Sequence, residues 1–439
     1  MSEIPSVEVL KAIKPVNSGT GEEELVYDEL VNAVDTYKLT NPERSVAVWE
    51  SQEESLEESS AARQLAFEYL LRTAIEVNDP SRGNYDLWAD RFTQATVELY
   101  GEPDSKEALR LISDEYSHFS QLIGKEGVSQ QHVNFLLDTY KPMISSLPEE
   151  DASEAELEYE KKAIHKYGEA LIEEYQPLFD LIDNSGKSEF NATDLQELFE
   201  AALDWLEHND DIAWQEWAVV QTKGTTFSVN SLHRQIKIAA QREVASIEDT
   251  RGLMAHELLV HALRGKNGYK RGDQDLATGL AGYLDAEEGL GILVEEAVNG
   301  ILPVKAYDRY IDIALALGSI DGVQRTRKEV FHISFARQLV RAQAKGVLNE
   351  VELQSLERKV WGHVDRIYRG GRGDNLGTKQ AIFTKDIAYY SGYKKMAQYI
   401  SSQLASGKNA REVLEYLSQG KFDPNNQQHV EQLNKYFVG

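Results

Sequence analysis

The sequence predicts a mainly helical fold of the α+β class with one small β-sheet. Apolar residues recur with helical periodicity through most of the 439 residues. Two short segments, residues 225–229 and Gln235–Ala239, instead alternate β-branched and polar residues as strands do. Both precede an apolar helix that carries His256 and His261. We therefore expect the sheet to lie beside this helix.

Residues 1–150 are predicted to form a helical N-terminal region. The acidic run at residues 147–151 resembles a linker, so a second domain is predicted at residues 151–439. A loop within one domain would explain the same run, and this alternative stays open. The amphipathic helices of the N-terminal region are predicted at residues 61–77, 85–100 and 106–123.

The second domain is also predicted to be mostly helical, apart from the two strand segments. A long helix is expected at residues 154–179, and a buried helix is expected to begin near Asp285. No internal repeat interrupts this pattern. The remaining helices are predicted at residues 306–317, 325–345, 350–368, 388–404 and Ala410–Leu417.

The run His-Glu-Leu-Leu-Val-His at residues 256–261 contains the residue types of a hydrolytic zinc site. In the usual zinc-peptidase motif the histidines stand four apart on one helical face. Here they stand five apart, which places them roughly 140° from each other around a regular α-helix. A π-turn would bring them together, and such turns occur often at functional sites. We predict a distorted helix at residues 255–263, ended by Gly265.

A catalytic zinc ion also needs a third protein ligand and an open position. The acidic pair Glu287 and Glu288 follows His261 and begins the next predicted helix. Acidic residues in a first turn also complement the helix dipole, so the residues alone leave the ligand role open. Zinc is the expected metal. Because the chain has no cysteine, thiolate ligands are excluded and the ligands must be imidazoles and carboxylates.

The ordered set of motifs resembles the family of tyrosine carboxypeptidases, whose best-known members are the microtubule-associated enzymes. Bacterial relatives are described as flavohaemoglobin-expression-modulating proteins with a Gln-Glu-Gly-Leu-Ala motif. The resemblance spans roughly residues 160–400. Besides the histidine motif, it rests on Gly-Leu-Ala-Gly-Tyr-Leu at 279–284, Glu-Glu-Gly-Leu at 287–290, Tyr-Arg-Gly-Gly at 368–371 and Phe-Thr-Lys-Asp at 383–386.

This resemblance implies a zincin-like metallopeptidase in which His256, His261 and Glu288 bind zinc. Glu257 would then be the general base that takes a proton from the attacking water. The sequence has Glu287 where the bacterial motif has Gln, and Gly291 where it has Ala. Neither difference removes a ligand, although Glu287 places a second carboxylate next to Glu288.

The implied activity is removal of a C-terminal residue, tyrosine or another aromatic, from a peptide or protein. Such an enzyme must bind the free carboxylate of its substrate, and a bidentate arginine suits this task. Arg369 and Arg372 in the glycine-rich run are the candidates, followed by Lys385. Tyr389 is a further candidate for contact with the substrate.

Two alternative functions use the same residues. An endopeptidase or aminopeptidase would share the metal chemistry, because only the pocket around the substrate terminus distinguishes these enzymes. A non-catalytic regulator would hold zinc structurally. The presence of Glu257 disfavours the regulator, as does the small number of ligands, since structural zinc sites usually have four protein ligands.

Composition limits the partners. The formal net charge is −27, which disfavours nucleic acid and anionic membranes because both attract basic surfaces. The same charge disfavours an acidic substrate such as the tubulin tail. The start of the sequence lacks the basic and apolar regions of a signal peptide, and no apolar run is long enough to span a membrane. A cytoplasmic location is expected.

Overall fold

The computed structural model describes residues 89–90, 93–94, 96–97, 100–145, 154–223, 227–240, 245–346, 348–368 and 380–436. Within these ranges the chain is mainly helical with two small sheets, which confirms the predicted class. None of the described helices combines the length and the apolar character needed to cross a bilayer. The predicted helix at residues 61–77 lies outside the described residues.

The helices begin and end close to the positions that periodicity predicted, and Ala410–Leu417 has the predicted bounds. In chain order they are α1 (Ser105–Ser120), α2 (Gln130–Ile144), α3 (Glu154–Asp183), α4 (Ala192–Asn209), α5 (Ile247–Leu253), a π-helix (Met254–Ala262), α6 (Leu263–Lys270), α7 (Gln274–Thr278), α8 (Leu284–Asn299), α9 (Val304–Leu317), α10 (Arg327–Lys345), α11 (Glu350–Ile367), α12 (Ala388–Ala405), α13 (Ala410–Leu417) and α14 (Gln427–Asn434). Short 3-10 helices lie at Ile212–Glu216 and Lys385–Ile387.

The larger sheet has the strand order β2-β4-β3, with β2 at Ala218–Thr222, β3 at Ser228–Asn230 and β4 at Gln235–Ala239. The central strand β4 pairs in parallel with β2 and antiparallel with β3. Its alternation of Ile236 and Ile238 with polar residues buries both isoleucines on one face. β3 and β4 pack against the π-helix, as predicted.

The first strand prediction is confirmed only in part, since β3 begins at Ser228 and residues 224–226 lie outside the described ranges. β2 was not predicted. A second sheet joins β1 (Glu189–Phe190) to β5 (Ala245–Ser246) in antiparallel pairing.

The described residues form two compact units. Unit 1 contains the described parts of residues 62–150 together with Val304–Ile387, and unit 2 contains those of residues 151–303 and 388–439. This division differs from the predicted single boundary at residue 150. The reason is that α9 packs against α1 and α10 packs against α2, so the segment after Pro303 returns to the N-terminal helices.

Within unit 2, the helix pair α8 and α12 forms the most extensive helix packing. The two helices cross where Gly289 meets Gly392. A Cβ atom on either glycine would overlap the backbone of the other helix, so the contact requires both glycines. This close crossing fixes α8, which carries the acidic pair, within the core of unit 2.

Candidate metal centre

The histidine motif lies on a π-helix in the middle of a continuous helical segment, Ile247–Leu253 followed by Met254–Ala262 and Leu263–Lys270. This confirms the distorted helix that the spacing of five predicted. The wider turn places the imidazoles of His256 and His261 side by side, with their Nε2 atoms 3.1 Å apart.

The predicted end of this helix at Gly265 is wrong. The helix continues as α6 to Lys270, and Gly265 does not have a positive φ. Its lack of a side chain serves close packing instead, because a Cβ atom there would lie 2.6 Å from Oγ of Ser231 and 3.3 Å from the ring of Trp217. Gly265 therefore allows the sheet to approach the helix.

Glu288 completes a group of three ligand atoms. Its Oε2 atom lies 3.7 Å from Nε2 of His256 and 3.9 Å from Nε2 of His261. Given these separations, the nearest point equidistant from the three atoms, which lies in their plane, is about 2.1 Å from each, close to zinc–nitrogen and zinc–oxygen bond lengths. Within the described part of the chain, these three residues are the group able to hold a metal ion.

The donor set suits zinc chemically, since two imidazoles and one carboxylate leave a fourth position of a tetrahedron open. The side chains of His256 and His261 are 8% and 11% exposed, whereas that of Glu288 is 20% exposed. The site is thus buried on its histidine side and more accessible at the glutamate. Such a site is typical of a metal that reacts with a substrate rather than one that holds a fold together.

Glu287 takes a different role from its neighbour. Its Oε1 atom accepts a hydrogen bond from Nδ1 of His261 at 2.9 Å and lies 3.1 Å from Nζ of Lys421. Its Oε2 atom pairs with Nη1 of Arg264. Burial acts to raise the pKa of Glu287, but Lys421, Arg264 and His261 outweigh it and hold this pKa well below its usual range. Glu287 is therefore an ionised acceptor that orients His261.

Glu295 orients the other imidazole, that of His256, in the same way. Nδ1 of His256 donates to Oε1 of Glu295 at 2.5 Å, which leaves Nε2 of His256 turned toward Glu288. Carboxylates that hold the distal nitrogens of metal-binding histidines fix both the tautomer and the ring orientation. One helix, α8, thus supplies the third candidate ligand atom and the carboxylates that hold Nδ1 of both imidazoles.

Electrostatics at His256 favour a positive charge. Burial acts to lower its pKa, but the nearby carboxylates of Glu288, Glu295 and Glu257 outweigh burial and raise the pKa of His256 to about 10. Protons and metal ions compete for the same imidazole nitrogen. A position that favours an added proton this strongly also favours a bound cation.

Gly291 makes room for this arrangement. A Cβ atom at Gly291 would lie 2.5 Å from both Cε1 and Nε2 of His256. The imidazole therefore lies directly against the backbone of α8. An alanine at this position would not fit without movement of His256.

The predicted general base, Glu257, is half-buried on the π-helix next to His256. Its charge is close enough to contribute to the raised pKa of His256. Tyr389, a predicted substrate contact, is half-buried in the first turn of α12, within the same unit.

The remaining substrate-binding predictions, Arg369, Arg372 and Lys385, stay predictions. Arg369 and Arg372 lie outside the described residues. Lys385 belongs to unit 1, where its Nζ lies 5.9 Å from the ring centroid of Tyr100. Its predicted role as a substrate contact stays a prediction.

Sequence reasoning missed three residues of the centre: Glu295, Arg264 and Lys421. Two of them carried a local signal. Glu295 stands seven residues after Glu288 and so shares its helical face, and Arg264 stands three residues after His261. Lys421 had none, because it reaches the site from a distant part of the chain.

The comparison with protein families matches the C-terminal part of the chain. Residues 347–436 match the family model described as microtubule-associated tyrosine carboxypeptidase. This segment contains Lys421 but none of the three candidate ligands. No curated protein and no solved structure gives a match to the chain. The family match supports the resemblance to tyrosine carboxypeptidases that the sequence motifs indicated.

Proposed function

We propose that the chain is a zinc-dependent carboxypeptidase that removes one C-terminal residue, tyrosine or another aromatic, from a peptide or protein. The observation that carries the proposal is the convergence of Nε2 of His256, Nε2 of His261 and Oε2 of Glu288 beside Glu257. The family match at residues 347–436 supports peptidase activity of the carboxypeptidase kind.

In this proposal each residue of the chain has a separate task. A zinc ion at the site would supply a Lewis acid for the scissile carbonyl and lower the pKa of water toward neutrality. Glu257 accepts a proton from the attacking water at its carboxylate and passes it to the leaving amine. Glu295 and Glu287 keep protons on Nδ1 of the two imidazoles, so that both Nε2 lone pairs face the same point.

Preference for a C-terminus requires a partner for the free carboxylate. Arg369 and Arg372 are proposed for this task, because a guanidinium pairs with a carboxylate through two parallel hydrogen bonds. Tyr389 is proposed to contact the substrate side chain or backbone. This part of the proposal rests on the sequence and on the family match.

Two alternatives are kept as outcomes of the test. An endopeptidase or aminopeptidase would use the same three ligands and Glu257. A non-catalytic zinc-binding regulator is disfavoured by the three-ligand group with an accessible glutamate, since structural zinc sites are usually closed by four protein ligands.

The test is mass spectrometry of a mixed peptide library after incubation with zinc-loaded protein. The Glu257→Gln variant should keep its metal and lose activity by about 10²–10⁴-fold, the usual contribution of a general base. Glu248→Gln is the matched control, because Glu248 is an exposed glutamate of the same continuous helical segment. This control should cleave like the wild type.

The carboxypeptidase is supported if the wild type and the Glu248→Gln control remove single C-terminal aromatic residues from the peptides and Glu257→Gln does not. Internal or N-terminal cleavage that depends on Glu257 would replace it with an endopeptidase or aminopeptidase. Activity that survives in Glu257→Gln would refute the role of this residue as the base. Tight zinc binding with no cleavage of any peptide or protein substrate would favour the regulator.

A further inference from the structure

The segment between α13 and α14 lies directly behind Glu287. Nε of Arg264 donates to the carbonyl of Gly420 at 2.7 Å, and Nη2 donates to the carbonyl of Phe422 at 2.6 Å. The backbone of Lys421 itself pairs in both directions, with Leu276 at 2.7 Å and with Leu280 at 3.1 Å. These bonds hold residues 420–422 in one fixed position.

The side chain of Lys421 is 7% exposed and points into the centre. Its Nζ atom lies 3.1 Å from Oε1 of Glu287, the same oxygen that accepts the hydrogen bond from Nδ1 of His261. Arg264 meanwhile pairs with Oε2. Each oxygen of Glu287 is therefore held by one cation, and the carboxylate has one orientation in which it also reaches His261.

We propose that Lys421 is a positioning residue of the metal centre, acting through Glu287 to fix the ring orientation and tautomer of His261. Without the ammonium group, Oε1 of Glu287 would keep His261 as its only strong partner and would lose one of its two anchors. The carboxylate could then rotate about its terminal bond and release the imidazole. This inference rests on the proposed zinc site and adds to it a residue far from the ligands in sequence.

Lys421 could instead serve only to anchor residues 420–422 to the rest of the unit. The contacts distinguish this anchoring role from the positioning role. The position of residues 420–422 is already set by backbone bonds and by the buried ring of Phe422. None of these bonds uses the ammonium group of Lys421. Within the described part of the chain, this ammonium group pairs with Glu287.

The test measures zinc affinity by competition with a chelator, together with the visible spectrum of the Co²⁺-substituted protein, which reports ligand geometry. Lys421→Met should bind zinc at least ten-fold more weakly and change the Co²⁺ spectrum, as loss of an orienting partner typically does. Lys435→Met is the matched control, because Lys435 is an exposed lysine of the same C-terminal region. It should bind zinc like the wild type.

A double-mutant cycle distinguishes positioning from anchoring. If Lys421 acts through Glu287, adding Lys421→Met to Glu287→Gln should change zinc affinity by less than three-fold beyond the single Glu287→Gln variant. Losses that multiply in the double variant, or a Lys421→Met variant with wild-type affinity and spectrum, would overturn the inference. Should Lys421→Met fail to fold, Lys421→Gln, which keeps an N–H donor, enters the same cycle with the same criteria.

Failure of this inference differs from failure of the proposed function. A wild-type protein that cleaves peptides and binds zinc while Lys421 variants match it refutes only the positioning role. A wild-type protein that binds no zinc at His256, His261 and Glu288 refutes both. If Lys421→Met weakens zinc binding as expected but the wild-type protein cleaves no peptide, this inference stands and the proposed function is refuted.

Discussion

Each of the two units buries a cluster of charged side chains, and the two clusters are completed in different ways. In unit 1, Arg337 is fully buried and donates to Asp312 at 2.7 Å. Arg341 donates to both oxygens of Asp308, at 2.8 and 2.9 Å, and pairs with Glu115. We call these five residues the Arg337 cluster.

In the Arg337 cluster, protein cations lie between the carboxylates. Burial acts to raise the pKa of Asp308, but Arg341 and Arg337 outweigh it and lower this pKa. The arginines thus supply the positive charge that makes burial of several acids possible. The cluster pairs its acids with arginines of the chain, as is typical of a structural network.

In the centre of unit 2, Arg264 and Lys421 pair with Glu287, while Glu288 faces two imidazoles. The Nε2 atoms of the two imidazoles and Oε2 of Glu288 point at one another. An imidazole, unlike a guanidinium, is neutral until it binds a proton. The negative charge of Glu288 beside His256 and His261 is therefore balanced when the group binds either a proton or a metal ion. The arrangement of cations, more than the burial of acids, thus distinguishes the proposed metal site from the Arg337 cluster.

The largest effect is expected where the structural cluster is broken. Arg337→Ala leaves Asp312, Asp308 and Glu115 with too little positive charge, and should lower the free energy of unfolding by about 3–5 kcal/mol. Chemical denaturation with a chelator present, followed by circular dichroism, measures this. Arg110→Ala removes an arginine whose side chain is 38% exposed and should cost less than about 1 kcal/mol. A loss of zinc affinity in Arg337→Ala would contradict the separate roles of the clusters.

The next largest effect is expected at Glu288, the proposed third ligand. Glu288→Ala should weaken zinc binding by roughly a hundred-fold or more, because the ion would lose one of its three protein ligands. The metal-free protein should keep its stability, since the substitution removes one of several neighbouring carboxylates. Equilibrium dialysis measures the first quantity and thermal unfolding the second. Glu287→Gln should weaken zinc binding by about 10–100-fold; a larger loss there than in Glu288→Ala would exchange the two roles.

Metal addition should also distinguish the two clusters. Zinc at about a hundred times its Kd should raise the apparent free energy of unfolding by about 2.7 kcal/mol, and a chelator should reverse the increase. Arg337→Ala should gain the same increment from its lower starting point, whereas Glu288→Ala should gain almost none. Thermal unfolding at several zinc concentrations measures the increments. An equal gain in Glu288→Ala would show that zinc binds elsewhere.

The smallest effect is expected at a glycine. Gly291→Ala would push the imidazole of His256 away from α8, since the added Cβ would lie 2.5 Å from its ring. We expect zinc affinity to fall by about ten-fold, or 1.4 kcal/mol. Gly362→Ala is the matched control, because this helical glycine of α11 has open space beside it and should gain up to about 1 kcal/mol of stability. Unchanged zinc affinity in Gly291→Ala would show that His256 can shift without cost.

Local sequence patterns predicted those parts of the site that local geometry controls. The spacing of His256 and His261 predicted a π-turn, because an α-helix with 3.6 residues per turn cannot bring positions five apart to one point. Apolar periodicity, another consequence of 3.6 residues per turn, predicted most helices. The choice between Glu287 and Glu288, by contrast, depends on which carboxylate meets Arg264 and Lys421, and adjacent acids look alike in a sequence.

Periodicity and side-chain chemistry alone predict the mainly helical class, the π-turn and the set of residues from which a metal centre can be built. Tertiary packing brings the described part of residues 304–387 back to the N-terminal helices, places Glu295 beside His256 and brings Lys421 to Glu287. These contacts join positions tens to hundreds of residues apart. Their formation depends on packing of the whole chain, which no local pattern records.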